Sequence, residues 1–350
     1  MIIGVASGDW LGPDKTTDGK ARWGGSGWAR IGQYVPYFPH KTVVGYLIWK
    51  YDHLVILDMY GIEHHPDIVI MQRLMHRGLA NHIELARQYG QVIINDLDDW
   101  YWGLDPSNNA FKHSHPKFNE KENINFYKSI LSRSSLLTVS TPYLMDRVSK
   151  WVRTDIVNIK NTVDVAKFHV KVHEDLDRPT LGWAGSTAHR SKDLETIASI
   201  LRGMTSSYQL LHVGDYIGSA TFASRIGVSD EYVIKKPLVD SETYPKSLIM
   251  DVGIVPLRVT PFNQAKSYIK GLEYAAAGVP FVAQKIDAYD DLYSQGIGRI
   301  AKRPYEWVKQ LKALTDYKLR EEESAKNHEL VWNNDIKHGA AQWIDILNNL

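Results

Sequence analysis

The chain lacks cysteine altogether: none occurs in 350 residues. That excludes disulfides, thiolate zinc sites and a cysteine nucleophile, and it suits a reducing compartment. Long apolar runs are missing too, since none approaches the ~18 residues that a membrane-spanning helix needs. The opening Met1-Ile2-Ile3-Gly4-Val5-Ala6 runs straight into Ser7-Gly8-Asp9 without a basic flank. It reads as a first strand and not as a signal peptide. An excess of one charge is the third absence. Lysine and arginine number 41 against 40 aspartates and glutamates, a net charge of +1, so no overall field draws nucleic acid or an anionic membrane. A cytoplasmic protein without a nucleic-acid partner is expected.

What is present is aromatic. Eleven tryptophans and 19 tyrosines offer rigid faces with polar handles, suited to cores and to sugar or base stacking alike. The length fits two domains. Short β-rich apolar runs occur at 2–6, 53–57, 68–71, 91–95, 136–140 and 156–159, and resume at 180–184, 209–213, 232–234, 252–256 and 279–283. Helical patterns lie between them. Runs apolar on consecutive residues suit strands covered on both faces, so the fold class expected is α/β with doubly wound parallel sheets. Thr141-Pro142 signals a helix start, and Ala277-Gly278 with Pro280 signals a stop. The charged, proline-bearing stretch 171–179 marks a domain boundary. Residues 11–43 and 100–123 read as long irregular loops, which in compact domains are usually functional.

Several familiar motifs fail. Gly4, Gly8 and Gly12 do not make a dinucleotide fingerprint, and Gly19-Lys20-Ala21 is no phosphate-binding loop. Gly25-Ser26-Gly27 is no nucleophile elbow. His64-His65 and His113-x-His115 read as surface histidines, with nothing nearby to complete a metal set. Three segments carry more. Asp96-Leu97-Asp98-Asp99 follows the run 91–95, at the carboxyl edge where parallel sheets place ligands. Metal binding, acid–base work, hydroxyl recognition and plain helix capping are all open to it. In 261–283, a helical projection brings Lys266, Lys270 and Glu273 within about 60° of one another, apart from an apolar face of Ile269, Leu272 and Ala276. Ammonium groups there can hold phosphate and a carboxylate can hold a ribose diol; a mutual ion-pair ladder is the plainer alternative. After the run 180–184, Gly185 permits close backbone approach, Ser186 can face an anion, and Arg190 supplies a rigid fork.

Together these segments resemble the GT-B glycosyltransferases, above all the retaining family-four group. Gly271-Leu272-Glu273-Tyr274-Ala275-Ala276-Ala277-Gly278-Val279-Pro280 is similar to that group's Leu-Leu-Glu-x-Met-Ala-x-Gly-x-Pro signature, and 251–257 to the strand before it. Asn161-Thr162-Val163-Asp164-x-x-x-Phe168 and Gly24-Gly25-Ser26-Gly27 resemble two further family stretches. The segment 18–28 faintly resembles bacteriophage-encoded members, which would put the protein in a host-cell cytoplasm.

The resemblance implies two Rossmann-like domains facing across a cleft: 1–172 on the acceptor side, 173–330 holding the nucleotide sugar, and 331–350 as a helix packing back on the first domain. It implies sugar transfer from a nucleotide-diphosphate donor, with retention and without a metal or other cofactor. Glu273 would hold the donor ribose; Gly25, Gly185, Ser186, Asn263 and Lys270 would complete the donor site. Arg190 and Lys266 would stabilise the leaving diphosphate, and Asp98 stands where many relatives have a catalytic histidine. Ala265 replaces the family's first glutamate, a departure that leaves room for a non-catalytic sugar-binding or scaffold protein. A metal-dependent GT-A enzyme using Asp96-x-Asp98 is the other rival. The acceptor could be protein, glycan or lipid, with Lys150-Trp151-Val152-Arg153 as at most a peripheral membrane contact.

Overall fold

A computed structural model describes residues 1–16, 18–187, 192–214, 220–237 and 239–350. Among them, the chain forms two large sheets and one small antiparallel ribbon, Trp10–Leu11 with Arg22–Trp23. The first runs β1 (Ile2–Ser7), β2 (Lys41–Lys50), β3 (His53–Asp58), β4 (Glu63–His64), β5 (Ile68–Gln72), β6 (Val92–Leu97), β7 (Leu136–Val139) and β8 (Asp155–Asn158). Its spatial order is β8-β7-β6-β5-β1-β2-β3-β4. Pairing is parallel from β8 to β2, and β3 and β4 add an antiparallel edge. The second sheet comprises β9 (Thr180–Ala184), β10 (Gln209–Val213), β11 (Val233–Lys236), β12 (Val252–Val255), β13 (Phe281–Gln284) and β14 (Arg299–Ala301). It is parallel throughout, in the order β11-β10-β9-β12-β13-β14. Strand order reverses beside β9, and such a reversal opens a crevice at the carboxyl ends of the strands.

Alternation along the strands explains the layers. Ile68 and Ile70 join one apolar cluster of the first sheet, while Val69 and Met71 join the other. Both faces are covered, as the consecutive apolar runs require. The helix Ile336–Asn348 closes the first cluster.

Two short elements matter first. Helix α1 (Gly25–Arg30) lies inside the expected loop 11–43, and the ten-residue strand β2 begins at its end and runs on through 44–50, where the sequence reading places no element. Gly45 sits in the middle of β2, and a Cβ there would meet the Leu57 carbonyl oxygen at 2.2 Å. Close packing against β3 therefore demands the residue that weakens the strand signal. Helix α2 (Ile269–Ala276) follows β12 and ends before Gly278, whose φ of +64° is the left-handed stop that the sequence signals. Helix α3 (Ile336–Asn348) returns to the first domain, where Ile336, Ala340, Trp343 and Leu347 bury against Ile3, Val5 and Tyr34. No helix among the described residues is long and apolar enough to cross a membrane.

Candidate donor and acceptor cleft

A cleft of about 560 Å³ lies between the carboxyl edges of the two sheets. Its first wall is built around the end of β6. The strand continues to Leu97, so Asp96 is an interior residue of the sheet and not part of a loop. Asp96 is fully buried; it accepts from Arg30 Nη2 at 2.7 Å and from Thr138 Oγ1 at 2.7 Å. Burial raises its pKa against the pull of Arg30. This corrects the Asp96-x-Asp98 metal reading, because Asp96 is consumed by Arg30 within the fold.

Asp98 does line the cleft and is 8% exposed. Its Oδ1 accepts from the Tyr101 hydroxyl at 3.0 Å, and its backbone carbonyl accepts from Ser140 Oγ. Asp99 reaches across the cleft to Lys266 Nζ at 3.1 Å. Burial is the main cause of its raised pKa, with Lys266 opposing. Asp9 and Arg73, which sequence reasoning missed, complete this wall. Arg73 Nη1 donates to both Asp9 oxygens at 2.6 and 2.5 Å, and Asp9 Oδ2 also accepts from the Gly27 N–H at 3.0 Å. Asp9 thus ties Arg73 to α1, whose Gly25 and Ser26 line the cleft. Arg73 follows β5 directly, so the carboxyl-edge rule that singled out Asp98 would have found it.

The second wall is carried by α2 and the segment before it. Lys266 precedes the helix and does not share its face, since α2 begins at Ile269. It lies over the Phe262 ring at 4.3 Å and still reaches the cleft beside Lys270 and Glu273. Lys270 and Glu273 pair with each other at 2.7 Å. Tyr244, also missed, bridges them: its hydroxyl donates to Glu273 Oε2 at 2.9 Å and accepts from Lys270 Nζ at 2.5 Å. No sequence spacing announces Tyr244. Leu272 and Ala276 are fully buried as expected, but Ile269 is half-buried and lines the cleft.

Gly185 closes β9, donating its N–H to the Val213 carbonyl at 2.9 Å. A Cβ on neighbouring Gly214 would meet the Gly185 oxygen at 2.1 Å, so two loops cross there backbone to backbone. Ser186 lines the cleft. Arg190 lies outside the described residues. Asn263 is buried away from the cleft lining, with its Nδ2 donating to Asp193 Oδ1 at 2.8 Å and to the Arg258 carbonyl at 2.9 Å. Its placement corrects the direct donor contact expected of it: its amide hydrogens fasten one loop to another. Ala265 is fully buried in the apolar cluster of the first domain, and its carbonyl accepts from Thr141 Oγ1 at 3.1 Å. Where the resemblance would have a glutamate facing the cleft, this chain docks one domain on the other.

Comparison with solved structures decides the architecture. Sucrose-phosphate synthase from Thermosynechococcus elongatus is similar over 100% of this chain and 98% of its own, with a TM-score of 0.67 at 13% identity. The fold is GT-B. Anabaena HepE, solved in complex with UDP and glucose, is similar over 100% of both chains with a TM-score of 0.67 at 14% identity. The pneumococcal O-GlcNAc transferase GtfA, in complex with UDP and GlcNAc, gives a TM-score of 0.52 at 12% identity, over 87% of this chain and 69% of its own. No family model matches the chain, and no curated protein matches its sequence. In this GT-B chain the cleft described above is the space between the two facing domains.

Proposed function

We propose that the protein transfers a sugar from a nucleotide-diphosphate donor to a hydroxyl acceptor across this cleft. The observation that carries the reading is the division of labour between the walls. Lys266, Lys270, Glu273 and Ser186 stand on the second domain, opposite Asp98 on the first. Glu273 takes the ribose diol, and Lys270 and Ser186 sit beside the diphosphate. UDP is the nucleotide of first choice, because HepE and GtfA were both solved with it.

In the reaction, the anomeric carbon–oxygen bond to phosphate breaks and its electron pair leaves with the nucleoside diphosphate. The acceptor oxygen forms the new bond on the same face, and its proton passes to the departing phosphate. Lys266 meets the charge that develops on the leaving oxygen, exchanging Asp99 for the diphosphate; Arg190 is assigned the same task. These cations do the work without a divalent ion. Asp98 orients the acceptor hydroxyl.

A second reading, a sugar-nucleotide-binding protein without turnover, is favoured by one observation: the buried Ala265 leaves no carboxylate where the resemblance would have one. The test is titration with UDP, GDP and ADP followed by mass spectrometry of cell extract incubated with the corresponding sugar donors in excess EDTA. Binding with transfer supports the enzyme, and binding without transfer supports the second reading. Binding of none rejects both.

A further inference from the structure

Among the described residues, one carboxylate of the first wall has no ion-pair partner of its own. Arg30 is paired with Asp96, Arg73 with Asp9 and Lys266 with Asp99. Asp98 has the Tyr101 hydroxyl on Oδ1 and, among the described residues, no ion-pair partner and no hydrogen bond to Oδ2. This carboxylate is more than nine-tenths buried, and it lines the cleft.

Beside it stands a guanidinium fixed before any ligand arrives. Arg73 has a φ of +59°, a left-handed backbone that costs an arginine free energy and persists only where its surroundings impose it. Nη1 is held by Asp9, and the guanidinium lies 5.6 Å from the Tyr101 ring centroid. Its Nε and Nη2 have no acceptor among the described residues, and its side chain is 27% exposed. Tyr101 thus carries both neighbours, Asp98 on its hydroxyl and Arg73 over its face.

We propose that Asp98 and Arg73 form the acceptor subsite and that it takes an uncharged sugar while rejecting a phosphorylated one. A sugar hydroxyl both donates and accepts, so it satisfies Asp98 Oδ2 and an Arg73 N–H at once. A phosphate can accept from Arg73 but has no free proton for Asp98 when doubly ionised. It also meets the unbalanced carboxylate at short range, where like charges repel strongly. Arg73 does not offset this, because Asp9, Asp98 and Asp99 share its field, and the four carboxylates Asp9, Asp96, Asp98 and Asp99 face only the three cations Arg30, Arg73 and Lys266. The proposal rests on the glycosyl-transfer reading for what the subsite serves, and on the charges alone for what it admits.

The experiment titrates the full chain, with UDP present, against the methyl glycosides of glucose, galactose and mannose and against the 6-phosphates of the same three sugars. At least one neutral glycoside should bind, and its 6-phosphate should bind about tenfold or more weakly. Asp98→Asn should narrow that gap, and Arg73→Gln should weaken the neutral sugar about tenfold while Arg73→Lys weakens it less. UDP affinity should be unchanged in all three variants. Equal or tighter binding of a sugar phosphate overturns the proposal, as does the absence of any neutral-sugar binding. A neutral sugar bound equally well by both Asp98→Asn and Arg73→Gln overturns it too. The comparison on the unsubstituted chain decides whatever the variants' folding. Failure of that chain to bind UDP strikes at the transferase reading instead.

Discussion

Asp99 and Lys266 are each other's partner across the cleft, and the proposed reaction exchanges that pair for a diphosphate. Lys266→Ala should lower turnover roughly tenfold to a thousandfold, as removal of one transition-state donor does; steady-state rates at saturating donor check it, and a near-normal rate contradicts it. Asp98→Asn keeps the side-chain shape and removes the charge. Donor affinity should stay within about threefold while turnover falls about a hundredfold, the scale of a positioned polar group at the reacting hydroxyl. A normal rate would move the role away from Asp98. Residues of this kind were legible where their neighbours in sequence are also their neighbours in space. Lys270 and Glu273 are one helical turn apart and pair as their spacing suggests. Asp96 and Asn263 misled because their partners, Arg30 and Asp193, lie 66 and 70 residues away in the chain.

At the scale of elements, the segment that leads into α2 is the informative one. Phe262 and Ala265 pack on the first domain's apolar cluster, so the segment acts as a plug between domains. Ala265→Glu, which restores the residue that the resemblance would place there, buries a carboxylate among apolar side chains. It should cost about 3 kcal/mol or more in denaturant unfolding; unchanged stability would mean that the plug does not seat. The helix Pro304–Ala313 offers a pH test. Glu306 accepts from the Lys302 and Arg303 backbone N–H groups and from the Arg303 side chain, and these contacts push its pKa from 4.5 down to about 2. A lowered folded-state pKa gives stability that is present above the unfolded value and lost as pH falls towards the folded one. The Tm difference between the unsubstituted chain and Glu306→Gln should be full at pH 6, shrink below about 4.5 and vanish near 2; a pH-independent difference contradicts the cap. Strand β2 escaped notice for a local reason. Most of its residues are half-buried, and Gly45 interrupts its apolar run where contact with β3 leaves no room for a side chain.

For the whole molecule, the two parallel sheets were legible because strands covered on both faces are apolar on consecutive residues. Of the antiparallel edge of the first sheet, β3 was legible as the run 53–57, but its antiparallel pairing and the two-residue β4 were not, since direction is not written in an apolar run and β4 is too short to show a pattern. The returning helix α3 shows its apolar stripe in sequence, but its target on the first domain is set by Tyr34 and Ile3, at the far end of the chain. The domains are held face to face by Arg258–Asp105 at 2.9 Å, Asn161–Ser267 at 2.7 Å and Lys160–Asp291 at 2.8 Å, besides Lys266–Asp99. Between them, Glu273, the residue proposed to take the donor ribose, lines the cleft with an oxygen held by Tyr244 and Lys270. The most direct measurement is isothermal titration of UDP against the unsubstituted chain and against Glu273→Gln. The unsubstituted chain should bind, and Glu273→Gln should bind more weakly by about 1.5–3 kcal/mol, the worth of a charge-assisted hydrogen bond, with its Tm unchanged. Equal UDP affinity in the two proteins, or no binding to either, would contradict a nucleotide-sugar site in this cleft.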